Sequence, residues 1–191
     1  MYIDNISLVN FRNYDNLTLK LKQGINIIYG NNAQGKTNLL ESIYVLALTK
    51  SHRSFIDNNL IKNNKDISKI EGNIFINKMK NNFKIIIGNK TKKLKIDNDE
   101  IKKISDYISR LNIIIFYPED LDLIKGSPNI RRHFLNSELS QLNNKYLNIL
   151  GEYNKILKMR NDYIKLIFEG KTSDYNYFNI LTDYLIEKAI Q

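Results

Sequence analysis

The sequence contains no cysteine and no tryptophan, and only two prolines, two histidines and eight glycines in 191 residues. Without cysteine there is no disulfide framework, no thiolate zinc site, no iron–sulfur cluster and no thiol nucleophile. The two histidines, His52 and His133, are too far apart in sequence to suggest a His-rich metal site. No apolar run approaches the roughly 18 residues that a membrane-spanning helix needs. The opening Met1-Tyr2-Ile3-Asp4-Asn5 has neither the basic start nor the long apolar stretch of a secretion signal. These absences lead us to expect a cytoplasmic protein with no membrane partner.

Apolar residues make up 42% of the chain, enough for a real core at this length. The formal net charge is +9. Residues 118–191 hold ten basic and ten acidic side chains, so the whole excess lies in residues 1–117. A basic half points to polyanions such as nucleotide, DNA or RNA. It is equally what a composition biased toward Asn, Ile and Lys produces. Lysine accounts for 23 of the 29 basic residues, so the six arginines are the more informative ones.

Residues 2–11 read as a strand, and Leu17, Leu19 and Leu21 alternate with polar residues as a half-buried second strand. After a turn at Gln23-Gly24, Ile25–Tyr29 is nearly all apolar, the pattern of a strand buried on both faces. Leu39, Leu40, Ile43, Tyr44, Leu46 and Ala47 recur at helical spacing up to about Leu48. Residues 51–55 are polar and loop-like. Residues 67–97 predict an antiparallel meander with strands Ile70–Ile76, Phe83–Ile87 and Leu94–Ile96, turning at Asn81-Asn82 and Gly88-Asn89. Ile101, Ile104, Tyr107, Ile108 and Leu111 mark an amphipathic helix. Asn112–Tyr117 predicts a second buried strand, stopped by Pro118. Gly126-Ser127-Pro128 has the form of a helix start. From Asn129 the spacing predicts one long helix, interrupted near Gly170, and another over Tyr175–Ile190. Its stripe of Tyr146, Tyr153 and Tyr163 reads as packing rather than as a base-stacking platform.

Between the buried-type strand Ile25–Tyr29 and the first helix lies Gly30-Asn31-Asn32-Ala33-Gln34-Gly35-Lys36-Thr37, which fits G-x-x-x-x-G-K-[ST]. Such a loop works by geometry. Gly30 and Gly35 let the backbone curl so that successive N–H groups point inward. Those groups and the helix N-terminus hold nucleotide phosphates, Lys36 reaches the outer ones, and the Thr37 hydroxyl can join the shell of a bridging Mg²⁺. The motif implies a nucleoside triphosphate without saying which one.

Several blocks in order along the chain then resemble the bacterial RecF recombination-repair family. They are Leu8-Val9-Asn10-Phe11-Arg12-Asn13-Tyr14, the loop with its extension through Asn38 to Ile43, and Lys50-Ser51-His52-Arg53-Ser54. Phe116–Leu121, Lys125–Pro128, Arg131–Leu135, Gln141, Tyr146-Leu147 and Arg160-Asn161 continue the match. The resemblance implies an α/β fold: a P-loop ABC-ATPase head of the SMC and Rad50 type, with a mixed sheet, followed by a helical lobe. It implies that residues 1–117 are the N-terminal half of the head and residues 118–191 a truncated helical lobe. It also implies ATP and Mg²⁺ as cofactors, an ATP-dependent homodimer, DNA at single-strand/duplex junctions as partner, and RecO and RecR as co-workers in loading RecA.

On this resemblance Arg12 contacts nucleotide, alongside Gly30 to Asn38; otherwise it is a strand-end surface residue. Arg53 contacts phosphate or DNA, or serves a structural ion pair. Arg131 and Arg132 bind DNA, or pair within the lobe. Glu119 and Asp120 lie near Mg²⁺, or favour a helix N-terminus. Ala33 stands where the wider family prefers Gly, and suits the loop if its φ is negative. Asn136 stands where the family usually has Asp. No Ser-Gly-Gly signature is present, and after residue 137 no run of four apolar residues is followed by two acids. We therefore expect an N-terminal fragment with no catalytic residue of its own. The alternatives are a stand-alone P-loop kinase or NTPase, and a DNA-binding interaction fragment.

Overall fold

The computed structural model describes residues 1–54 and 56–191, and residues 118 and 119 by backbone alone. Phe55, the end of the predicted polar loop, lies outside the described residues. The chain divides into two compact units, residues 1–117 and residues 118–191.

In the first unit, alternation of apolar and polar residues builds one antiparallel sheet. Its strands are β1 (Tyr2–Phe11), β2 (Tyr14–Lys20), β3 (Ile67–Ile76), β4 (Met79–Gly88), β5 (Thr91–Ile96) and β6 (Asp99–Glu100), in the order β2-β1-β3-β4-β5-β6. Leu8 faces Leu17 on one neighbour and Ile70 on the other, which fixes the register by the buried set. Ile6, Leu8, Ile70, Ile74, Phe83, Ile85, Ile87 and Leu94 form the buried side. Helix α1 (Lys36–Leu48) lies on β1, β3 and β4 and buries Val45, Leu46 and Ala47. Gly72 permits the close approach: a Cβ there would stand 2.7 Å from Leu46 Cδ2. Each fully buried aliphatic side chain contributes about 1.5–3 kcal/mol. The short helix α2 (Ile104–Ile108) closes the layer, with Tyr107 edge-on to Phe83 at 5.6 Å.

The α/β class holds, and three local expectations change. The β3–β4 turn is Asn77-Lys78, not Asn81-Asn82. Both turn residues have positive φ, 48° and 67°, the backbone that matches the twist of paired strands. Asn82 instead sits in β4, where its amide donates to Glu71 and Asn73 of β3. Asp97-Asn98 makes a like turn between β5 and β6, and Asn10 and Asn64 also adopt positive φ. Second, Ile25–Tyr29 and Asn112–Tyr117 join no ladder, and the sheet is antiparallel throughout rather than mixed. Ile25, Ile27 and Tyr29 are 92%, 81% and 90% exposed. An apolar run of this kind is buried only between neighbouring strands, and no described strand flanks either segment.

Third, in the helical unit, the single long helix is two. After a 3-10 turn over Pro118–Leu121 and α3 (Asp122–Lys125), α4 (Pro128–Leu142) begins with Pro at its first turn. It stops at Asn143, whose φ of −138° and ψ of 106° are extended. The Asn143 side chain accepts from the Tyr146 N–H and so starts α5 (Asn144–Phe168). Gly170, at φ 66°, ends α5, and Asp174 caps α6 (Tyr175–Ile190) through the N–H groups of Asn176 and Tyr177. The antiparallel α5–α6 pair is held by Tyr163 edge-on to Tyr177, and by Arg160, which lies 4.6 Å over Phe178 and donates to Thr182. Among the described residues no helix is long and apolar enough to cross a membrane.

Candidate functional site

The residues singled out around the phosphate-loop motif converge on the N-terminus of α1. Asn31, Asn32, Ala33, Gln34 and Thr37 are exposed, while Gly35 is buried. Positive φ values of 149° at Gly30, 63° at Ala33 and 103° at Gly35 curl the loop. The positive value at Ala33 departs from the condition, a negative φ, under which Ala suits the loop without strain. A side chain in this region is strained by about 1–2 kcal/mol, which is the physical reason Gly is preferred there. Lys36 Nζ donates to the carbonyls of Gly30, at 2.9 Å, and Asn31, at 2.7 Å, tying the two ends of the loop. The first bond of the helix runs from the Leu39 N–H to the Gly35 carbonyl. The N–H groups of Lys36, Thr37 and Asn38 therefore lie ahead of the helical ladder, at the positive end of the helix dipole. No acidic residue in the first turn offsets that charge.

The turn between β1 and β2 supports the loop from below. Asn13 Nδ2 donates to the Gln34 carbonyl and Tyr14 Oη to the Gly35 carbonyl. Burial pushes the Tyr14 phenol above its ordinary value, so it remains a donor across the neutral range. A Cβ on Gly35 would meet Asn13 Nδ2 at 2.7 Å and Tyr14 Oη at 2.8 Å. Asn38 extends the same network by donating to Asn13 Oδ1 and accepting from Arg53 Nη1.

Arg12 adopts positive φ, 52°, and its N–H donates to the Leu60 carbonyl. Its guanidinium is bound bidentately by Glu41: Nη2 to Oε1 at 2.7 Å and Nε to Oε2 at 3.0 Å. Glu41 is completely buried in α1 and also takes the Ser51 hydroxyl, with Arg53 Nη1 at 3.5 Å. Burial by itself raises the Glu41 carboxyl. The bonds from Arg12 and Ser51 and the charges of Arg12 and Arg53 outweigh it and hold the group below the usual carboxylate range.

Sequence reasoning placed no role on Glu41. The available signal was a carboxylate on the buried side of an amphipathic helix, a place where charge persists only when paired. His52 packs between the rings of Tyr44, at 5.1 Å, and Tyr117, at 4.7 Å.

The remaining candidates belong to the helical unit. Arg131 donates to the carbonyls of Leu123, Ile124 and Gly126, so its fork is engaged in closing α3. Arg132 makes one long bond to the Pro128 carbonyl. Glu119 lies outside the described side chains, and Asp120 lies in the 3-10 turn Pro118–Leu121. Asn136 accepts from the Tyr146 hydroxyl at 2.6 Å. No cluster of three metal-ligating side chains occurs among the described residues.

Comparison with known proteins gives the following. Residues 5–189 match the family model described as AAA domain. The chain is 46% identical over 193 residues to the DNA replication and repair protein RecF of Bacillus subtilis (strain 168), covering 99% of this chain and 51% of that protein. The chain thus spans about half the length of the curated relatives it matches. A solved structure of the recombination mediator protein RecF-ATP in the RecFOR pathway superposes with a TM-score of 0.92 at 31% identity, over 98% of this chain and 50% of that one. A structure from work on SMC ATPases shares the fold with a TM-score of 0.60 at 16% identity, over 72% of this chain and 99% of that one.

Proposed function

The chain belongs to the AAA domain family, and from that premise we propose that its Gly30–Thr37 loop binds ATP as part of a RecF-type DNA-repair and recombination ATPase. The observation that carries this reading is the curled loop on the N-terminus of α1, with Lys36 across its mouth. The curled loop and the first-turn N–H groups suit phosphate oxygens. Gly30 to Asn38 would hold the triphosphate, with Lys36 moving from loop carbonyls to the outer phosphates. Thr37, exposed beside them, would hold Mg²⁺, which when bound neutralises charge on the phosphate oxygens. The likeness to RecF along nearly the whole chain supports the biological role.

The finer parts of the reading rest on the same likeness. They are cytoplasmic action on DNA at single-strand/duplex junctions, ATP-dependent pairing of two copies, and cooperation with RecO and RecR. The DNA contacts are assigned to the basic residues 1–117 with Arg53, and to Arg132 more than Arg131, whose donors are engaged. Binding of that kind weakens steeply with salt, because phosphate neutralisation releases counterions. Holding a triphosphate is ground-state binding and does not accelerate its hydrolysis. This chain is therefore assigned binding without turnover. A stand-alone kinase or NTPase would need a carboxylate at the end of a paired strand. The internal candidate, Asn112–Tyr117, is not among the strands of the sheet and exposes Ile114 and Phe116.

Calorimetric titration of Mg-ATP into the chain and into its Lys36→Ala variant tests the assignment. Removing the charge should cost on the order of 2–4 kcal/mol of affinity while the fold is retained. Equal affinity in the two folded proteins would overturn it.

A further inference from the structure

We propose that Glu41 is a positioning residue for the loop, one carboxylate that sets both Arg12 and Arg53 against the anion-binding end of α1. The proposal rests on the nucleotide reading above. Three observations carry it. Glu41 is completely buried, yet binds Arg12 bidentately and lies 3.5 Å from Arg53. The two arginines come from different places, the β1–β2 turn and the segment after α1, and meet nowhere else among the described contacts. Both are then joined to the loop: Arg53 through Asn38 to Asn13, and Arg12 as the residue before Asn13, whose amide donates to the Gln34 carbonyl.

The charge balance gives this arrangement its use. One buried carboxylate offsets only one of two guanidiniums. The cluster keeps a surplus of positive charge, to which Lys36 adds. An Arg fork bound on one edge still has donors on the other, and the side chains of Arg53 and Arg12 remain 47% and 20% exposed. Glu41 thus fixes the direction of two cations before any anion arrives, and their ordering is not charged against binding. Ser51 completes the device. Its hydroxyl donates to Glu41 and accepts the N–H groups of Arg53 and Ser54, so the segment carrying Arg53 is anchored at the same carboxylate.

The test uses Glu41→Gln, which keeps the shape and removes the charge, with Arg53→Ala and the double variant. Mg-ATP affinity is measured by calorimetry, and arginine Nε–H resonances are followed by NMR in the free chain. The expected result is roughly a tenfold or greater loss of ATP affinity in folded Glu41→Gln, the size of one charged hydrogen bond. Loss of a slowly exchanging Arg12 Nε–H signal should accompany it. The double variant should lose less than the sum of the single losses, because both act through one carboxylate. Wild-type affinity in folded Glu41→Gln overturns this proposal alone. A wild-type chain that does not bind ATP overturns the nucleotide reading and this one with it. Should Glu41→Gln not fold, Ser51→Ala replaces it: it removes one donor from the same carboxylate, and unchanged affinity there overturns the proposal.

Discussion

The guanidinium of Arg12 and the carboxylate of Glu41 form two parallel bonds, 2.7 and 3.0 Å long, across 29 residues of sequence. Arg12→Ala removes the main partner of a fully buried charge. Ser51 and Arg53 remain, so the cost should fall below the roughly 3–5 kcal/mol of a wholly broken buried pair, at about 2–3 kcal/mol. Urea denaturation of the variant measures it. A midpoint equal to wild type would show that the pair is not formed in solution.

Acid should weaken the fold in a way that Glu41 controls. Its carboxyl is held below the ordinary value in the folded chain, so its contribution is complete above the unfolded pKa and is lost as pH falls through the folded one. Glu71, buried in part and then lowered by bonds from Lys69, Lys84 and Asn82, behaves the same way. Stability should therefore fall below about pH 4–5. Glu41→Gln should flatten part of that fall, and Glu71→Gln another part. Denaturation curves between neutral and acid pH give the slopes; an unchanged slope in both variants would contradict the assignment.

Ala33→Gly should stabilise the chain by about 0.5–1 kcal/mol, since the strain at φ 63° exceeds the added freedom of glycine in the unfolded state. Thermal unfolding reads this directly. A lower melting temperature would mean that the loop in solution holds Ala33 at negative φ.

Gly35→Ala should act in the opposite direction. The backbone there, at φ 103°, disfavours any side chain, and the new methyl would displace Asn13 and Tyr14 from the loop carbonyls. We expect about 1–3 kcal/mol lost, with ATP affinity falling below measurement. Calorimetry on the folded variant checks it, and wild-type affinity would show that the turn does not support the loop.

The elements with strong periodicity were legible in the sequence. Helix α1, the β3–β5 meander and the α5–α6 pair follow from the spacing of Leu, Ile and Tyr. What was not legible depended on partners distant in sequence. The apolar run Ile25–Tyr29 reads as buried, but burial belongs to neighbouring strands, and a window of five residues contains no information about them. Asn143 breaks a helix because its own side chain satisfies the next helix, an event that leaves the apolar stripe on either side unbroken. The loop motif pointed to Gly30 to Thr37, and the family resemblance pointed to Arg12 and Arg53. Neither showed that Glu41 joins the two arginines, since no spacing rule links residues 12, 41 and 53.

The abundance of asparagine has a conformational meaning that composition conceals. With eight glycines in the chain, the left-handed turns at Asn77-Lys78 and Asp97-Asn98, and the left-handed positions Asn10 in β1 and Asn64, fall mostly to the side chain that tolerates this backbone best after glycine. Asparagine here takes over glycine's duty in reversing the chain, while surrendering less disorder to the unfolded state. The protein's residues are thus not equally exchangeable. An Asn on a strand face can become Ser or Thr with little effect, whereas the same change at residue 10, 64, 77 or 98 bends the chain against its sterics. Drift in such a sequence is channelled: the hairpins can trade Asn for Gly, and for little else.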